Sequence, residues 1–140
     1  MDVACTVVSD DELRDAGAAG WLSKADDDLR VAEVILSGEI GVEWAACFHA
    51  QQAAEKALKG VLVHLGIDFP RSHSLDRLVA LMPSDAAENF DLDALIELTP
   101  WAVAGRYPED IENPTSAQAT RVIELAESVL RSARSVLSEA

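Results

Sequence analysis

Positive charge is scarce in this chain. Its 11 lysines and arginines stand against 25 aspartates and glutamates, a formal charge of -14 at pH 7. A surface of that sign repels phosphate backbone, which excludes bulk, non-specific DNA or RNA binding through a basic face. A small basic pocket for a nucleotide or an RNA end stays open, and a basic protein partner fits the charge at least as well. Glycine and proline are also few, 7 and 5 in 140 residues, while 49% of the chain is hydrophobic. That balance argues against disorder and for one folded helical domain, long enough to bury a core. Cysteine is limited to Cys5 and Cys47, far apart and without metal-ligand spacing, so two free thiols in a reducing compartment are expected. No apolar run approaches the roughly 20 residues a membrane helix needs. The opening MDVACTVVSDDELRD has neither the cationic start nor the apolar stretch of a signal peptide, which points to the cytoplasm.

What the chain does have is apolar residues at helical spacing. Residues 1–20 read as a flexible or partly helical N-terminal segment, and 21–138 as a helical bundle. The first stable helix is expected from near Trp21 to Leu36, ended by Ser37 and Gly38. A second runs from about Val42 to Leu65 and stops at Gly66. After a loop with Pro70, Ser72 or Ser74 caps a short helix through about Leu81. Ser84 and Asp85 lead into a fourth helix ending in LDALIELTPWAVAGRY, which Pro100 kinks or divides. The last has Asn113 as N-cap and Pro114 at its first position. Nothing alternates long enough to propose a strand. The expected fold is all-α, an up-and-down bundle of four long helices plus a short one.

One stretch of the second helix, HAQQAAEKALKG at 49–60, threads polar residues through alanines. On a helical wheel Gln51 falls inside the apolar sector, Glu55 on its edge, and Lys59 one turn further on. Gln52 and Lys56 lie opposite and are expected to be solvated. A buried amide such as Gln51 must find partners or cost about 1–3 kcal/mol. Two roles fit it: tying the helix to a neighbouring loop, or lining an internal polar site.

Three motifs in order then carry a resemblance: QQAAEKALK at 51–59, His73-Ser74-Leu75, and Ala104-Gly105-Arg106-Tyr107-Pro108. From about Trp21 to Leu137 the chain resembles the HEPN domain family, the "higher eukaryotes and prokaryotes nucleotide-binding" helical domain. The resemblance implies a helical bundle, often a homodimer, found beside a minimal nucleotidyltransferase in toxin–antitoxin-type systems. No Gly-Ser sequence followed by paired aspartates suggests a nucleotidyltransferase within this chain. It therefore reads as the helical component, with a nucleotidyltransferase, a nucleotide or RNA as partner and no cofactor.

Ribonucleases of the wider family pair an arginine with a histidine after four to six intervening residues. Histidine then moves the 2′-hydroxyl proton and arginine steadies the phosphorane. No arginine here has a histidine at that spacing, so the expectation leans away from an enzyme. A non-sequential arrangement of His73 and Arg106 would be the catalytic pair of a metal-independent endoribonuclease. As a ligand site the candidates are Gln51, Glu55, Lys59, His73, Arg106 and Tyr107, with arginine as phosphate fork, tyrosine as stacking ring and lysine as point charge. The same residues also suit a purely structural role in a homodimeric bundle. No metal site is expected, because HxxxH and CxxC spacings are both absent.

Overall fold

The first helix starts earlier than the apolar spacing predicts. Ser9 accepts the backbone N–H of Glu12 through its hydroxyl, and Asp10, Asp11 and Glu12 place negative charge on the first turn, where the helix dipole favours it. Helix α1 therefore runs Asp10–Ser37. Its opening turns are mostly exposed, so no apolar period announces them. The computed structural model describes residues 9–103 and 112–138; Cys5, Arg106 and Tyr107 lie outside them.

Helix α2 spans Glu43–His64 and ends, as expected, before Gly66, whose φ of +71° suits glycine. It lies antiparallel to α1: Asp15 meets His64, Leu22 meets Gly60, and Asp28 meets His49. Ala46, Ala50, Ala53, Ala54 and Ala57 of α2 are fully buried. Small side chains there let neighbouring helices approach closely. Helix α6, Ser116–Ser138, packs mainly on α2 and also on α1. Its buried Val122, Ala126, Val129, Leu130 and Ala133 follow the three-and-four spacing.

The expected fourth long helix comes in pieces. After α3 (Leu75–Ala80), the chain forms α4 (Ser84–Ala87), α5 (Leu92–Leu98) and a 3-10 helix, Thr99–Ala102. Asn89 closes α4 by donating to the carbonyls of Asp85 and Ala86. Asp91 opens α5 by accepting from the Asp93 N–H at 3.0 Å. Pro100 sits in the first turn of the 3-10 helix, where its missing N–H costs nothing. Among the described residues there is no strand, so the all-α expectation holds.

Asn113 is not the cap of the last helix. Its Oδ1 accepts the Trp44 N–H at 3.1 Å and its Nδ2 donates to Glu43 Oε2 at 2.6 Å, so it caps α2 instead. The start of α6 belongs to Thr115 and Gln118, each side chain bonding the other's backbone N–H. This reciprocal capping box satisfies two donors at once. Helix α3 is likewise capped from a distance: Leu75 N–H donates to Thr99 Oγ1 at 3.1 Å, while Ser74 turns its hydroxyl to Asp76.

Glycine marks a close approach of α2 to α1. A Cβ on Gly60 would lie 2.5 Å from Leu22 Cδ2 and 3.3 Å from the Ala18 carbonyl oxygen. Gly60→Val is expected to destabilise the fold by about 1–3 kcal/mol in urea denaturation. At Gly20 a Cβ meets nothing within 4 Å, so Gly20→Ala should stabilise by about 0.5–1 kcal/mol. Equal midpoints for the two variants would refute this packing.

On α6, burial, a hydrogen bond to Glu33 of α1 and the Glu33 charge raise the Glu127 pKa. The folded state then holds this proton more tightly than the unfolded state. Stability falls as pH rises from the ordinary carboxylate range through the raised value. Glu127→Gln should therefore raise Tm at pH 7 more than at pH 4. A pH-independent shift in thermal melts would contradict the pairing.

Candidate functional site

The polar row of α2 closes around one buried carboxylate. Glu55 is 4% exposed and Gln51 is fully buried. Gln51 Nε2 donates to Glu55 Oε1 at 3.4 Å and to the His73 carbonyl at 3.2 Å. Its Oε1 accepts from Gln52 Nε2 at 2.7 Å. Lys59 Nζ donates to Glu55 Oε2 at 3.0 Å, one turn along the same helix. His73 reaches in from the loop before α3, its Nδ1 2.7 Å from Glu55 Oε1. Facing a carboxylate, that nitrogen carries the proton.

Lys59 is also held by aromatic rings. Its Nζ lies 5.9 Å from the Trp21 ring of α1 and 5.7 Å from the Phe69 ring of the loop. Those rings meet edge-to-face at 6.2 Å. The seam thus joins α1, α2 and the loop 65–74. A surface groove of about 500 Å³ lined by Arg14, Val63, Gly66, Ile67, Asp68 and Phe69 shares only Phe69 with it.

Of the six sequence candidates, Gln51, Glu55, Lys59 and His73 come together; Arg106 and Tyr107 lie outside the described residues. Gln52 and Lys56 are not simply solvated. Gln52 bonds Gln51, and Lys56 is paired with Asp28 of α1, whose other oxygen lies 2.9 Å from His49 Nδ1. Sequence reasoning missed this second cluster. Its signal was present: Asp28 lies two helical turns after Trp21, on the same stripe of α1.

Chemically, the seam is close to self-neutralised: one carboxylate faces one lysine and one histidine. The His73 side chain is 52% exposed, so its Nε2 is the nitrogen available to a ligand. A buried carboxylate behind Nδ1 is how an imidazole is oriented as a general base. Cys47 offers no nucleophile, because burial, helped by the Glu43 charge, pushes its thiol up to about 12. Among the described residues, no group of three His, Cys, Asp or Glu side chains could hold a metal ion. No described helix is long and apolar enough to cross a membrane.

This bundle, with its seam inside the matched region, has relatives. The family model described as HEPN domain matches residues 18–136. The chain belongs to the HEPN domain family. Among solved structures, TT1696 from Thermus thermophilus is similar to this HEPN domain at 30% identity with a TM-score of 0.71, covering 85% of this chain and 97% of that one. ST0689, an archaeal HEPN homologue, is similar at 30% identity with a TM-score of 0.68, covering 86% and 97%. No curated protein matches the chain.

If Glu55 holds this HEPN domain's seam together, removing it leaves Lys59 without its carboxylate and takes one partner each from Gln51 and His73. Glu55→Ala is expected to cost about 3 kcal/mol. Gln52→Ala, which takes the donor from the buried Gln51 Oε1, should cost about 1–3 kcal/mol. Chemical denaturation measures both, and an unchanged midpoint for Glu55→Ala would refute the hub.

Proposed function

We propose that this HEPN domain is the helical component of a toxin–antitoxin-type pair with a nucleotidyltransferase, acting in the cytoplasm by binding that protein rather than by cutting RNA. The observation that carries the reading is the pairing of Lys59 and His73 with Glu55. Of the described candidates, Lys59 and His73 each already face that carboxylate, and a phosphate approaching them meets its negative charge as well. The charge of -14 favours a protein with basic character over free nucleic acid. The reading includes a homodimer, the assembly the family resemblance implies.

A second reading, a metal-independent endoribonuclease, is favoured by the carboxylate behind His73. There His73 would take the 2′-hydroxyl proton and Arg106 would steady the phosphorane.

The test combines three measurements on the full chain. A nucleotidyltransferase encoded beside it, co-expressed, should co-elute in size-exclusion chromatography. Titration with ATP should give no saturable heat, and incubation with RNA no cleavage. Saturable ATP binding lost in Lys59→Ala would make the seam a nucleotide site. Cleavage lost in His73→Ala would replace the binding reading with the nuclease.

A further inference from the structure

The outer side of α5 and the 3-10 helix carries an apolar stripe that the described bundle leaves uncovered. Leu92, Ile96 and Val103 are 56%, 53% and 49% exposed, and Pro100 between them is exposed as well. They recur every three or four residues, while Leu95, Leu98 and Ala102 of the same segment face the core. Single exposed apolar residues need no explanation, but a row of four along one short element does.

Charge around the row is mostly negative, with Arg121 of α6 as a described exception. Asp85, Glu88, Asp91, Asp93 and Glu97 are all exposed, and no Lys, Arg or His occurs from 78 to 105. Arg121 of α6 reaches Glu97 at 2.8 Å. Another exposed apolar face, Val31 and Val34 on α1, has Asp27 and Arg30 beside it, a mixture that selects no sign of partner.

We propose that the α5 face docks a basic amphipathic segment of a partner protein, its apolar residues on Leu92, Ile96, Pro100 and Val103 and its lysines or arginines over the carboxylates. This rests on the partner-binding reading above and supplies where the partner sits and what chemistry it brings. An amphipathic helix meeting such a row is anchored by residues at i and i+4. The apolar centre supplies affinity, and the charged rim sets encounter rate and salt dependence. A second copy of this chain is the poorer occupant, because two such faces would bring their carboxylates together.

Two synthetic helical peptides with one leucine stripe, flanked by lysines in one and by glutamates in the other, serve as probes against the full chain. Fluorescence anisotropy should show saturable binding of the lysine peptide, weakened by salt, and none of the glutamate peptide. Ile96→Asp should weaken the lysine peptide by about tenfold or more, and Leu92→Gln should act in the same direction. The aspartate adds negative charge, so purely electrostatic binding would tighten instead, and that result overturns the proposal. Both variants should melt within about 2 °C of the parent. A much larger drop, or conversion of a dimer to monomer, would show that the chain itself or a second copy covers the face. Loss of the lysine peptide in Ile96→Asp, without any nucleotidyltransferase complex, keeps the face and removes only that partner. A nucleotidyltransferase complex indifferent to Ile96→Asp keeps the partner and removes the face.

Discussion

A carboxylate taken out of water must be surrounded by donors, and in this bundle Glu55 imposes that demand on its neighbours. Its two oxygens take Gln51, His73 and Lys59, which pins the loop 65–74 against α2. Gln51 adds a second tie to the same loop through the His73 carbonyl. Lys59 extends the effect to α1, since its ammonium sits near Trp21 as well as Phe69. The loop then delivers Leu75, whose N–H needs Thr99, and Thr99 starts the 3-10 helix. One charged group therefore conditions the placement of the loop 65–74 and, through it, of α3 and the 3-10 helix.

That demand was readable from the chain because it is local. Gln51, Glu55 and Lys59 stand four apart, and a polar residue in an apolar sector is visible from spacing alone. What spacing hides is a bond that crosses the fold. Asn113 beside Pro114 has the local marks of a helix cap, yet its side chain serves Trp44. Thr115 and Gln118 form two reciprocal bonds at α6, which leaves Asn113 free for α2. The divided fourth helix had its signals in Asn89 and Asp91, but the apolar residues on both sides mask a break that depends on side-chain bonds. The start of α1 was hidden for the opposite reason: its first turns bury little.

The histidines show how the fold handles its charge imbalance. All three of the chain's histidines bring Nδ1 to a carboxylate on another element: His49 to Asp28, His64 to Asp15, and His73 to Glu55. Lys56 and Lys59 join two of these pairs. With 25 acidic residues to 11 basic ones, cations placed between helices have a partner within reach and serve as clamps. Pairs such as Lys59 with Glu55 are screened from salt by burial, whereas the exposed Arg121–Glu97 contact adds little stability.

Using cations as internal clamps has a consequence for recognition. Each lysine drawn into a seam takes one carboxylate with it, so the net charge outside is unchanged while acidic groups there outnumber basic ones by a larger ratio. The polar motif that makes this chain look like a ligand binder is therefore the same feature that removes positive charge from its outside. A phosphate ligand reaching Lys59 would have to displace Glu55 from it, leaving that buried carboxylate short of its ammonium, which opposes binding. A partner meeting the acidic apolar face of α5 disturbs no internal bond of the seam. Recognition by the outer face and cohesion by the inner seam are then compatible, while recognition by the seam would work against the interaction that holds the bundle together.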